Sequence, residues 1–174
     1  MVDPLQIKTI RDRLHINFGE REEEEFTSRY DEPREVVITM FENFIGHVEK
    51  SKTDIPTAII LTKSDMLQYL KEEDGEYIRS NSNVFRNVVH SKQFDLDEFN
   101  NINGEIQRFI EKVDRPFKDA VDVYFKDTAY FAVSALGSNP VNKQITGVVN
   151  PIRVDEPFVW LLYKLNYIEG SSAK

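Results

Sequence analysis

The tetrapeptide Thr62-Lys63-Ser64-Asp65 follows directly on the apolar run Ala58-Ile59-Ile60-Leu61. Its side chains suit the reading of a planar heterocycle. An Asp65 carboxylate can accept two hydrogen bonds at once from neighbouring N–H donors on a ring edge. The four-carbon stem of Lys63 can lie along a ring face while its ammonium stays in water, and the Thr62 hydroxyl can tie the turn together. A plainer role is also open to Asp65. Thr62, Ser64 and Asp65 all cap helices well, so the carboxylate could simply start a helix after a strand.

A second stretch has the same form. Thr128-Ala129-Tyr130-Phe131-Ala132-Val133 reads as another short buried strand and runs straight into Ser134-Ala135-Leu136-Gly137. Two polar motifs that each end a predicted strand can share one rim of a parallel sheet. Ligands of open α/β sheets bind at that carboxyl rim.

Together the two motifs resemble those with which P-loop GTPases read guanine, the N/T-K-x-D pattern and the S-A-K or S-A-L triplet. Their order is right, and their separation is longer than in small GTPases but fits with an insertion. The resemblance implies that Asp65 and Lys63 read the base, that the Ala135 N–H points at guanine O6, and that Ser134 and Ala135 close over it. Leu136 follows the S-A-L variant and could pack on the base face; with Thr62 these residues make up the implied nucleotide site. More narrowly, the chain resembles bacterial GTPases of the double-GTPase type, related to the translation-factor and dynamin-like branch. There Met1-Val2-Asp3-Pro4-Leu5 corresponds to the end of a hydrophobic strand closing in Asp-Pro, and Asp155-Glu156-Pro157 to the acidic-Pro opening of a final helix. On this view the family pattern runs from Asp3 to about Tyr167.

The chain departs from that pattern at the phosphates. A GTPase needs a G-x-x-x-x-G-K-S/T loop whose backbone amides and lysine cradle them. No Gly-Lys dipeptide occurs among these 174 residues, and the D-x-x-G pattern is absent as well. The expectation is therefore an α/β fold with a partial parallel sheet flanked by helices, resembling the second half of a P-loop GTPase. No catalytic residue and no metal site are assigned, and GTP or GDP should bind weakly. One bidentate base contact contributes about 1–3 kcal/mol by analogy with base readout in DNA, whereas millimolar affinity already requires about 4 kcal/mol.

Composition agrees with one folded domain. Hydrophobic residues make up 40% of the chain, twelve of them phenylalanine, which is enough for a real core at 174 residues. There are no cysteines for disulfides or thiolate metal sites. The formal charge of −8 disfavours a nucleic-acid partner. No apolar run approaches membrane-spanning length and the first residues lack signal-peptide character, so the expected setting is cytoplasmic, with no membrane partner. The acidic run Glu20–Glu25 reads as a solvated face, and His15, His47 and His90 lack the spacing of metal ligands.

The elements that must position the motifs follow from periodicity. Leu5, Ile7, Ile10 and Leu14 predict a short helix after Pro4. Asp31 can cap a helix starting near Pro33, whose stripe is Val36, Val37, Met40, Phe41, Phe44, Ile45 and Val48. Asp54-Ile55-Pro56 then breaks the pattern before the strand Thr57–Leu61. After a short helix at Met66–Leu70, residues 75–96 read as an irregular insertion near the base site. Asp97 can cap a helix carrying Phe99, Ile102, Ile106, Phe109, Ile110 and Val113, which Pro116 kinks or ends, with further turns through Ala120–Phe125. Val141–Ile145 and Val148–Ile152 could form a hairpin around Thr146-Gly147. The last helix, Asp155 to about Ile168, should bury Phe158, Trp160 or Leu161, Leu162 and Leu165, closing a single domain over 1–168 with 169–174 as a loose tail.

One consequence concerns partners. If Met1–Asp3 ends the strand beside Thr57–Leu61, most of that strand's outer edge is unpaired and should be covered by a rebuilt segment or, as expected here, recruit another chain. That chain would be a second copy or one carrying the phosphate-binding half. The alternative reading is a non-enzymatic α/β interaction module built on a GTPase scaffold, with the insertion or the acidic stretch as its contact surface.

Overall fold

A computed structural model of the chain describes residues 1–14, 32–44, 52–72, 75–87, 93–138 and 148–172. The acidic run, Asp31, the three histidines and the first half of the expected hairpin lie outside these residues. The protein is mixed α/β, with small parallel strand pairs flanked by helices. Strands β1 (Thr57–Leu61) and β5 (Thr128–Ala132) pair in parallel, from Thr57 opposite Thr128 to Leu61 opposite Ala132.

The two-residue period of these strands divides the core between two faces. Ile59, Leu61, Tyr130 and Ala132 point to one side and join the larger cluster. Helices α2 (Pro33–Phe44), α3 (Leu96–Val113) and α4 (Arg115–Tyr124) supply much of the rest, and Ile7, Ile10, Leu67, Leu70, Ile78 and Val84 add to it from the shorter segments. Phe41 of α2 lies 4.4 Å from Tyr124, ring centre to centre, and meets Phe125 edge-on. Ala129, Phe131 and Val133 point the other way, onto Trp160 of α5 (Glu156–Lys164) and Phe94 of the short β4 (Phe94–Asp95). Shorter elements complete the chain: a 3₁₀ turn at Pro4–Gln6, α1 (Lys8–Arg13), a 3₁₀ segment at Ser64–Tyr69, an antiparallel pair of β2 (Lys71–Glu72) with β3 (Gly75–Glu76), and a 3₁₀ turn at Asn83–Phe85. Among the described residues no helix is long and apolar enough to cross a membrane.

Acidic side chains cap three of the described starts. Asp3 accepts from the Leu5 amide while Gln6 accepts from the Asp3 amide, a reciprocal capping box. Asp95, rather than the expected Asp97, caps α3 by accepting from the amides of Asp97 and Glu98. Pro116 stops α3 from continuing, and Asp114 caps α4 through the Phe117 amide.

The structure corrects the expected end of the chain. Phe158 and Leu165 are 63% and 56% exposed rather than buried. The sheet takes only the Trp160 side of α5, which is apolar nearly all round. Gly170–Ser171, expected in a loose tail, forms β6 and pairs in parallel with Phe94–Asp95. Ile152, expected in a hairpin, pairs antiparallel with Ser134.

Val2 lies on the outer side of β1. Its amide donates to the Ile60 carbonyl at 2.8 Å, and its carbonyl accepts from the Thr62 amide at 3.0 Å. Thr57 and Leu61 turn their bonding groups toward β5, so by alternation Ala58 and Ile60 turn theirs outward. Beyond the Val2 contact, the Ala58 N–H and C=O and the Ile60 N–H meet no partner among the described residues.

Tyr130 gives the core a pH dependence. Burial pushes its phenol well above the ordinary tyrosine range, the Asp122 carboxylate adds to that push, and the Thr128 hydroxyl opposes it. The folded state therefore holds this proton when the unfolded chain, with a phenol pKa of about 10, has released it. Stability is complete below pH ~10 and is lost as pH rises further, by up to about 1.4 kcal/mol per pH unit from this group. Urea unfolding on either side of that pH should show the loss, and Tyr130→Phe should shrink it. An undiminished loss in Tyr130→Phe would assign the alkaline sensitivity to other groups.

Candidate functional site

Because β1 and β5 run in parallel, the segments leaving their carboxyl ends emerge side by side. The Val133 amide donates to the Leu61 carbonyl at 2.8 Å, and the Ser64 amide to the Val133 carbonyl at 3.0 Å. Between these bonds the chain turns sharply at Lys63, whose φ of 52° and ψ of 40° lie in the left-handed region. That turn aims Asp65 inward at the first turn of the 3₁₀ segment.

The two motifs meet there. The Ser134 hydroxyl donates to Asp65 Oδ1 at 2.5 Å and accepts from the Gly137 amide at 2.9 Å. Both side chains are buried, with Asp65 4% and Ser134 2% exposed. No described residue donates to Asp65 Oδ2. Ala135 is exposed, and its N–H meets no acceptor among the described residues. Leu136 is half-buried beside it. The rim thus presents a carboxylate oxygen and a main-chain N–H, an acceptor and a donor on adjoining loops.

Lys63 and Thr62 are engaged on the other side of the turn. The Lys63 ammonium pairs with Asp3 Oδ2 at 2.6 Å, with about half of its side chain in solvent. The Thr62 hydroxyl donates to the Val2 carbonyl at 3.3 Å, so it ties the turn to the N-terminal segment. Ser64 is fully buried, and its hydroxyl has no hydrogen-bond partner among the described residues.

A second polar cluster, which sequence reasoning missed, braces this rim. Ser134 exchanges two backbone hydrogen bonds with Ile152, at 3.0 and 2.8 Å, and the Asn150 amide donates to the Leu136 carbonyl. The next residue, Arg153, is almost wholly buried at φ 53°. Its guanidinium donates to Glu98 Oε1 at 2.5 Å, to Glu156 Oε1 and to the Asn83 carbonyl at 2.9 Å. The Asn87 side chain bridges the Arg153 amide and the Asn150 side chain. The insertion is therefore stapled to the loop that backs Ser134. The only hint in the sequence was a glutamate three residues after an arginine at a helix start.

Among the described residues no three His, Asp or Glu side chains converge as a metal site would require. Comparison of the chain with protein-family models, with curated proteins and with solved structures finds no match.

Proposed function

We propose that the rim formed by Thr62–Asp65 and Ser134–Leu136 recognises a guanine base. On this reading the nucleotide's phosphates are held by residues outside these 174, in another part of the protein or in a partner chain. The observation that carries the reading is the Ser134–Asp65 hydrogen bond, which joins two motifs 69 residues apart at one end of a parallel strand pair. Asp65 Oδ2 would accept from the base, and the Ala135 N–H would donate to its carbonyl. Asp65 Oδ1 stays with Ser134, which fixes the carboxylate. Lys63 would have to exchange Asp3 for the ring face.

The outer edge of β1 fits the partner half of the proposal. The Ala58 N–H and C=O and the Ile60 N–H, which meet no partner among the described residues, suit an added parallel strand, continuing the direction that Val2 sets. The same edge favours the second reading, a non-enzymatic interaction module that binds no nucleotide.

Amide NMR separates the two. Guanosine should shift the Ala135 amide weakly, at millimolar levels or above, because base contacts alone contribute only about 1–3 kcal/mol, and adenosine should not. Asp65→Asn should abolish the guanosine response, since the amide has one acceptor oxygen to share between Ser134 and the base and would turn an NH₂ donor toward one of them, and the isolated chain should not hydrolyse GTP. Equal responses to guanosine and adenosine, or a guanosine response that survives Asp65→Asn, would refute base recognition and leave the interaction module.

A further inference from the structure

The insertion does more than brace the rim. Between residues 77–83 and the outer stripe of α3 lies an open cleft of about 690 Å³, within the range of about 300–1,000 Å³ typical of small-ligand sites. Its lining inverts the charge of the molecule. The chain carries a formal charge of −8, yet Arg79, Arg108 and Lys112 line this cleft against the single carboxylate of Glu105.

Two of these groups are placed by a contact. Glu105 is held by the Ser82 hydroxyl, which donates to it at 2.8 Å. Lys112 sits 5.2 Å from the ring centre of Tyr77, and that ring meets Phe109 edge-on. Neither the Arg79 nor the Arg108 guanidinium forms an ion pair or hydrogen bond with a described residue. Arg108 and Lys112 stand one helical turn apart on the same face, so both border the cleft. Asn81 and Asn101 add neutral amide donors on the walls.

We infer that this cleft binds the dianionic phosphate group of a small molecule. The two guanidiniums that pair with no described residue bring two positive charges to the cleft, against the −1.5 to −2 of a phosphate monoester near pH 7. Two planar guanidinium forks suit its oxygens better than ammonium groups would. The inference is independent of base recognition, since none of the residues of the Asp65 rim lines the cleft.

The test is a titration of the ¹⁵N-labelled chain with inorganic phosphate and, separately, with glycerol 3-phosphate, holding ionic strength constant with sodium chloride. Saturable shifts are expected at the Arg79 and Arg108 Nε–H signals and at the amides of residues 77–83. Tighter binding of the ester assigns the group to a phosphorylated metabolite, and equal binding assigns it to free phosphate. Arg79→Gln with Arg108→Gln should weaken binding roughly tenfold or more while the dispersed amide spectrum shows the fold intact. Asp65→Asn should leave it unchanged. Shifts that do not saturate, or that persist at full strength in the double variant, would overturn the assignment.

Discussion

Arg153→Ala is expected to lower the unfolding free energy by about 3–5 kcal/mol, the usual cost of removing one partner from a buried ion pair. The guanidinium is 1% exposed and holds Glu156, whose side chain is 9% exposed, together with Glu98 at 27%. Without it, Glu156 is left charged in a poorly hydrated pocket. The Asn83 carbonyl loses its donor as well. Glu98 can rehydrate, which keeps the loss toward the lower end of that range. Combining Arg153→Met with Glu98→Gln and Glu156→Gln should recover part of the loss, because no unpaired charge then remains. Urea unfolding measures both. A midpoint for Arg153→Ala close to wild type would mean that the cluster contributes little and that the insertion is held by other contacts.

Gly137→Ala should cost about 2–4 kcal/mol, through backbone strain and a clash that no rotamer relieves. Gly137 has φ +73°, and an added Cβ would lie 2.0 Å from the Asn150 carbonyl oxygen and 2.9 Å from its carbon. Both are main-chain atoms, so the strands of the turn must separate. The bonds at risk are Asn150 N–H to Leu136 O and Gly137 N–H to Ser134 Oγ. The second orients the hydroxyl that holds Asp65. The variant should therefore lose stability and any guanosine response at Ala135 together, as read by urea unfolding and amide NMR. A variant with an unchanged midpoint would show that the turn opens at little cost.

The strand pair was legible because Thr57–Leu61 and Thr128–Val133 are short apolar runs ended by polar motifs, and because helices separate them in sequence. Parallel pairing then brings Asp65 and Ser134 to the same rim. What could not be read depended on contacts between distant segments. Nothing near Lys63 announces Asp3 as its partner, and nothing near Arg153 announces Glu98 or Asn83. The α3 cap fell on Asp95 rather than Asp97, although both are capping residues. Phe94–Asp95 pairs with Gly170–Ser171, which ends the extended segment at Asp95. Along α5, Phe158, Val159, Trp160, Leu161 and Leu162 give no polar face from which to choose. The choice fell to the Phe131 and Phe99 rings that receive Trp160.

The Lys63–Asp3 pair makes the turn and the start of the chain a single thermodynamic unit. Asp3 caps the first 3₁₀ turn, its neighbour Val2 hydrogen-bonds along β1, and its carboxylate holds the ammonium. Any molecule that draws Lys63 away removes one of those ties. By reciprocity, whatever anchors or displaces the first few residues must alter the affinity of the turn by the same free energy. Docking of residues 1–6 and occupancy of the rim are thus coupled equilibria, so what happens at the N-terminal segment sets how readily Lys63 is released.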